Sequence, residues 1–181
     1  MNDNLHEGER IAALLEAEGI GVVLIGAVAL AAHRYVRFTR DVDLAVNADL
    51  QRMRLVHGVL LSQGYDATFH EADREDPLGG VIDVVGPFGV VQIVSFADRF
   101  PAAIDDALAG EAIRTRPDGG LRVMPIPQLV ALKLYAGGLK SLADIVELLL
   151  RNPEVDLQEI GETCRRYRLR GWEMVMDELQ R

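Results

Sequence analysis

Leu24–Val46, reading LIGAVALAAHRYVRFTRDVDLAV, decides the fold of this chain. An apolar strand, Val22–Ile25, runs into a glycine turn at Gly26 and then into a helix of small residues, Ala27–Arg34. A loop bearing Arg37 and Arg40 follows, and a second strand, Asp41–Val46, opens on two aspartates. Successive side chains on a strand point to opposite faces, so Asp41 and Asp43 project from one side, about 7 Å apart along the backbone. An ordinary half-exposed strand alternates in the same way, with Val42, Leu44 and Val46 turned to the core. Aspartate is disfavoured in strands, however, and like charges on one face repel unless a cation compensates them. Beside the Gly26 turn and the Thr39-Arg40 lead-in, the pair reads as a site for divalent metal held against the phosphates of a nucleotide.

Outward from this segment the pattern is that of an α+β protein. Upstream, residues 4–18 form an amphipathic helix ended by Gly19-Ile20-Gly21. Downstream, Asn47-Ala48-Asp49 caps a helix that runs to Gln63, and Asp66–His70 is a strand followed by the acidic loop Glu71–Pro77. Val81–Val85 and Val90–Phe96 are β-branched runs joined as a hairpin by Gly86-Pro87-Phe88-Gly89. Phe100–Leu108 reads as a helix, and Ala112–Arg116 and Leu121–Met124 as a second hairpin around Pro117-Asp118-Gly119-Gly120. Beyond Pro127 the chain is helical, over 127–136, 139–151, 156–168 and 171–180. Residues 1–125 are thus expected to form an α/β core, and 126–181 a C-terminal helical segment packed on it.

Composition narrows the functional classes. With 181 residues, about half of them apolar (49%), the chain can bury one substantial core. A single cysteine, Cys164, excludes an internal disulfide and a cysteine-based metal cluster. The N-terminus lacks the pattern of a signal peptide and no apolar run spans a bilayer, so a cytoplasmic protein with no membrane partner is expected. A net charge of −9 argues against a broad nucleic-acid-gripping surface and confines any such contact to a local patch.

The central segment resembles the signature of the nucleotidyltransferase superfamily, the DNA polymerase β-like fold, in which a hydrophobic strand ends in Gly-Gly or Gly-Ser and an Asp-x-Asp follows. More narrowly, Gly26-Ala27-Val28-Ala29-Leu30 and Arg37-Phe38-Thr39-Arg40-Asp41-Val42-Asp43-Leu44 are similar to AbiEii-type small bacterial nucleotidyltransferases. A weaker likeness continues through Pro127–Lys133 and Lys140–Ile145, with Ser141 where those proteins tend to carry Asp. Ala27 stands in place of their second Gly or Ser. The resemblance implies a nucleotidyltransferase-like mixed β-sheet flanked by helices. It also implies an NTP substrate with Mg²⁺ or Mn²⁺, and transfer of a nucleoside monophosphate to an acceptor hydroxyl. In a toxin–antitoxin or phage-defence setting the acceptor would be the end of a tRNA or other RNA, and a cognate antitoxin protein a partner. Aminoglycoside-type small molecules and protein hydroxyls are further acceptor classes.

In the resembled families a third acid lies in the strand matching Val90–Phe96, where this chain has Val90-Val91-Gln92-Ile93-Val94-Ser95 and no acid. Pairing Val85 with Val90 sets Asp83 opposite Gln92 on the same face. Asp83 is also the one charge in an apolar strand, so it is the candidate third acid, beside Asp41 and Asp43, for metal binding and catalysis. The contrary reading takes Gln92 as the mark of a catalytically impaired binding or regulatory module. For the nucleotide, the candidates are the backbone N–H groups of Gly26 and Ala27, with Arg37, Arg40 and Lys133. Lys133 lies on a helix that is apolar nearly all round; it either snorkels to the surface or meets the triphosphate. His33 reads as a packing or surface histidine. Asp144, four residues after Lys140, reads as half of a surface pair or as a group behind the site. The basic run Cys164–Arg170 is either a solvated face or a base-stacking patch built around Tyr167.

Overall fold

The computed structural model of the chain describes residues 2–71, 80–97, 100–116 and 119–180. Residues 72–77 of the expected acidic loop and Pro117-Asp118 of the second turn lie outside these. The elements follow the order α1 (Asn2–Ala17), β1 (Val22–Ile25), α2 (Gly26–Ala32), β2 (Asp41–Val46), α3 (Leu50–Ser62), β3 (Asp66–His70), β4 (Val81–Gly86) and β5 (Gly89–Ser95). There follow α4 (Pro101–Ala109), a short β6–β7 ribbon (Arg114–Arg116, Gly119–Arg122) and helices α5 (Ile126–Ala136), α6 (Gly138–Leu150), α7 (Leu157–Arg166) and α8 (Trp172–Leu179). Chemistry local to the sequence accounts for most boundaries. Asp49 accepts a hydrogen bond from the Arg52 amide at 2.9 Å and starts α3, and Asp156 starts α7 in the same way. Gly137 separates α5 from α6 at φ 71°, a left-handed backbone that glycine adopts without penalty.

The main sheet has five strands in the order β1-β2-β5-β4-β3. It is mixed: β2 and β5 are parallel, and the other neighbours are antiparallel. Parallel pairing needs a long crossover, and the whole of α3, β3 and β4 intervenes between β2 and β5. The β4–β5 hairpin holds the register expected from its sequence, with Val85 opposite Val90 and Asp83 opposite Gln92. Its ladder continues one pair further, to Gly86 and Gly89, so Pro87-Phe88 alone form the turn. The β6–β7 ribbon touches the edge of β1 through a bridge between Leu24 and Val123.

One hydrophobic core runs through the sheet and its helices. Val42, Leu44, Val46, Val91 and Ile93 are buried under α1, where Gly8 lets the helix approach Val42 closely. The C-terminal helices join the same core through Leu129, Val130, Ile145, Leu148, Ile160 and Val175. Among the described residues no helix is long and apolar enough to cross a membrane.

His33 belongs to this packing. It is buried, and its Nε2–H donates to the Met124 carbonyl at 2.7 Å, while Asn152 donates to the His33 carbonyl at 2.8 Å. The end of α2 is thereby tied to the start of α5 and to the α6–α7 connection. Burial, aided by the nearby Arg34 charge, holds the imidazole pKa below its ordinary value, against the Met124 hydrogen bond. The unfolded chain therefore takes up this proton first, and stability present above about pH 6.5 is lost as pH falls through the histidine range. Urea midpoints are expected to fall between neutral and mildly acid pH, and His33→Gln, a neutral donor, should flatten that slope. Parallel pH profiles for the two proteins would remove His33 as the cause.

Candidate active site

Asp41 and Asp43 open β2, with Asp41 exposed and Asp43 half-buried on the same face. The ladder places Asp43 between Ile25 of β1 and Gln92 of β5. Its carboxylate lies directly against Gly26, where β1 turns into α2 with φ at 67°. A Cβ on Gly26 would land on Oδ2 of Asp43, 2.8 Å from its Cγ. Glycine at this turn serves two ends: it adopts the left-handed backbone, and it leaves the space that the aspartate occupies. Burial is the main reason the Asp43 carboxyl titrates above its usual range, and the Asp41 charge adds to it. Arg37 and Lys133 oppose that shift, which places both cations within electrostatic reach of Asp43.

The cations are held from behind by an acid. Lys133 Nζ lies 2.7 Å and Arg37 Nη2 3.6 Å from Oδ2 of Asp144, while Tyr35 donates to Oδ1 at 3.2 Å. The Asp144 side chain is only 6% exposed and that of Lys133 14%. Asp144 is thus no surface partner of Lys140; it is buried against Lys133, Arg37 and Tyr35. Lys133 does not simply snorkel to solvent, because its ammonium ends on a buried carboxylate. The Arg37 Nε is buried with no hydrogen-bond partner among the described residues. An unpaired buried donor is costly.

Asp83 does not join the pair. It sits two strands from Asp43, with Gln92 between them, so the backbones lie about 10 Å apart at the usual strand spacing. Gln92 Nε2 donates to Asp83 Oδ1 at 2.8 Å, and His70 Nε2 approaches Oδ2 at 3.2 Å. Among the described residues no group of three or more His, Cys, Asp or Glu is placed to hold a metal ion. The expected triad of Asp41, Asp43 and Asp83 is therefore not assembled. The reason lies in strand order: β5, carrying the glutamine, is the neighbour of β2, and β4 is one strand further out.

Of the remaining candidates, Ala27 is buried in the first turn of α2 next to Gly26. The Arg40 guanidinium lies over the ring of Phe38, 5.8 Å from its centroid, and Phe38 is 85% exposed. In the basic run near residue 167 the arginines are exposed, while the tyrosine is engaged in packing. Tyr167 stacks edge-on against Phe100 and donates to Asp106, which also pairs with Arg166. Burial and that hydrogen bond push the Tyr167 hydroxyl up to about 12.

Beside Asp43 opens a cavity of about 370 Å³, walled by Ile25, Val94, Phe96, Leu129 and Leu132, with Gly26, Lys133 and Ser141 among its lining residues. Apolar walls with a few convergent polar groups suit a small organic ligand. On the two strands that meet beside Asp43 stand groups of the right kind for a hard divalent cation. Two carboxylates and the amide of Gln92 share one face, and Mg²⁺ and Mn²⁺ prefer oxygen donors of this type.

No family model and no curated protein matches the sequence. Solved structures do match the fold. The antibiotic-resistance factor ANT(2'')-Ia, in complex with adenylyl-2''-tobramycin, aligns over 91% of this chain and 96% of its own, with a TM-score of 0.61 and 12% identity. Its solution structure aligns over 87% of both chains, at 0.52 and 13%. An antigenic nucleotidyltransferase-like protein from Paracoccidioides brasiliensis aligns over 91% of this chain and 87% of its own, at 0.52 and 16%. The chain therefore has a nucleotidyltransferase-like fold: a mixed sheet with flanking helices.

Proposed function

We propose that this chain is a metal-dependent nucleotidyltransferase that moves a nucleoside monophosphate from an NTP to an acceptor hydroxyl. One observation carries this reading: Asp43 lines one apolar cavity together with Gly26 and Lys133, and Asp41 and Arg37 lie within electrostatic reach of Asp43. Asp41 and Asp43 would hold Mg²⁺ or Mn²⁺. When bound, the cation would neutralise phosphate charge and lower the pKa of the attacking hydroxyl. Lys133 and Arg37 would face the triphosphate, Asp144 keeping both in place. Backbone N–H groups of Gly26 and Ala27 would add donors for phosphate oxygens. The cavity would take the base and ribose, completed by the C-terminal segment 126–181 through Leu129, Leu132 and Lys133. The acceptor oxygen forms a bond to the α-phosphorus, the bond to pyrophosphate breaks, and the hydroxyl proton leaves to water.

A cationic small-molecule alcohol fits a chain of net charge −9 better than an RNA end does. The aminoglycoside adduct in the ANT(2'')-Ia structure is an example of such an acceptor. RNA, with an antitoxin partner as in AbiEii-type systems, is a second acceptor class. Labelled NTP offered with cellular RNA and with aminoglycosides separates the two by the pool that takes the label.

Calorimetry with ATP, GTP, CTP and UTP is expected to show binding of at least one nucleotide that requires Mg²⁺. Asp41→Ala and Asp43→Ala are expected to abolish the metal dependence and to lower turnover by at least about 100-fold, roughly 3 kcal/mol of transition-state stabilisation. Nucleotide binding indifferent to metal and to both substitutions would instead establish the second reading, a non-catalytic module. That reading draws on Gln92, which stands where the resembled families carry an acid.

A further inference from the structure

Gln92 is held in a way that assigns it a role. Asp83 presents a carboxylate, which accepts hydrogen bonds, so the arm of the Gln92 amide turned to it at 2.8 Å is the NH₂ group. Oε1 is left on the other arm of the amide, and the strand on the other side of Gln92 is β2, with Asp43 directly opposite. The second oxygen of Asp83 faces His70 at 3.2 Å, so the carboxylate is gripped from both neighbouring strands. Gln92 and Asp43 are direct neighbours in the β2–β5 ladder, one strand spacing of about 4.8 Å apart, and share a face. Val94, two residues further along β5 on that face, lines the same cavity as Asp43.

We propose that Asp83, braced by His70, locks the Gln92 amide so that Oε1 serves as a neutral oxygen ligand beside Asp41 and Asp43. The inference rests on the metal-dependent reading above and deepens it. An amide oxygen is a fitting donor for Mg²⁺ or Mn²⁺, but it brings no charge and does not bridge two cations as a carboxylate does. The ligand set then carries two negative charges instead of three, and the site holds a single divalent cation. Asp83 acts through Gln92 and is a positioning residue. The sequence also explains why the lock is needed: an unrestrained glutamine could present its NH₂ edge to the cation as readily as its oxygen.

The test is Mn²⁺ binding to the full chain, followed by electron paramagnetic resonance with and without a non-hydrolysable NTP. Wild type is expected to bind one Mn²⁺. Gln92→Leu should weaken it about tenfold. Asp83→Asn should also weaken it, because the new amide accepts either orientation of Gln92. Gln92→Asp should bind more tightly and admit a second Mn²⁺. Far-UV circular dichroism checks each fold, and the isosteric Asp83→Asn decides the matter where Gln92→Leu does not fold. Unchanged Mn²⁺ affinity in Gln92→Leu or, where that variant does not fold, in Asp83→Asn, with Asp43→Ala abolishing binding, would overturn the role of Gln92 and leave the nucleotidyltransferase reading standing. Mn²⁺ binding that survives Asp43→Ala would overturn both.

Discussion

Gly26→Ala is expected to destabilise the protein by about 3 kcal/mol or more, lowering Tm by roughly 6–12 °C, and to abolish metal-dependent nucleotide binding. Two penalties combine. A left-handed backbone costs a non-glycine residue about 1–2 kcal/mol, and the φ of 67° at Gly26 is in that region. The methyl group would also occupy the position of the Asp43 carboxylate, with the Asp43 Cγ only 2.8 Å away. Either the turn moves or Asp43 swings out of the cleft, and both disarm the site. The two penalties can be separated. In an Asp43→Ala background the nearest remaining atom is the residue 43 Cβ, 3.1 Å from the added methyl, so most of the clash disappears. Gly26→Ala should then cost little more than its backbone penalty. Chemical denaturation of the four proteins measures the coupling, and equal costs in both backgrounds would show that Gly26 and Asp43 do not share space.

Asp144→Ala is the other substitution with a large expected effect. It strips a buried carboxylate from Lys133 and Arg37, whose side chains are only 14% and 29% exposed. Removing one partner of a buried ion pair typically costs about 3–5 kcal/mol, because the remaining charge stays desolvated. A loss of this size in urea unfolding is expected, with weaker nucleotide binding because Lys133 is no longer aimed at the cleft. Replacing both partners distinguishes this cause from lost packing. Asp144→Leu combined with Lys133→Met removes the stranded ammonium and should unfold at higher urea than Asp144→Leu alone. A single Asp144→Ala within 1 kcal/mol of wild type, that is, a midpoint hardly moved, would sink the account.

Element order and most boundaries were legible because capping, alternation and glycine placement are local: Asp49, the β-branched runs around residues 81–95, and Gly137 each act within a few residues. The Asp83–Gln92 register was legible for the same reason, since a tight hairpin leaves little freedom in pairing. Asp144 was misleading at short range. Its i, i+4 relation to Lys140 is a property of one helix, whereas its burial against Lys133 and Arg37 depends on how α6 meets α5 and the loop before β2.

What the chain determines by itself is the paired acid strand after a glycine turn, the alternation of apolar and polar positions, and the hairpin that opposes Asp83 to Gln92. These follow from neighbours close in sequence, where backbone geometry leaves few choices. Only the tertiary structure decides that β5 lies beside β2, that a glutamine therefore separates the aspartates of β2 from Asp83, and that a helix from the far end of the chain delivers Lys133 to the cleft. Those outcomes come from burying one shared core, and the free energy of that burial is summed over contacts that no short window of sequence contains.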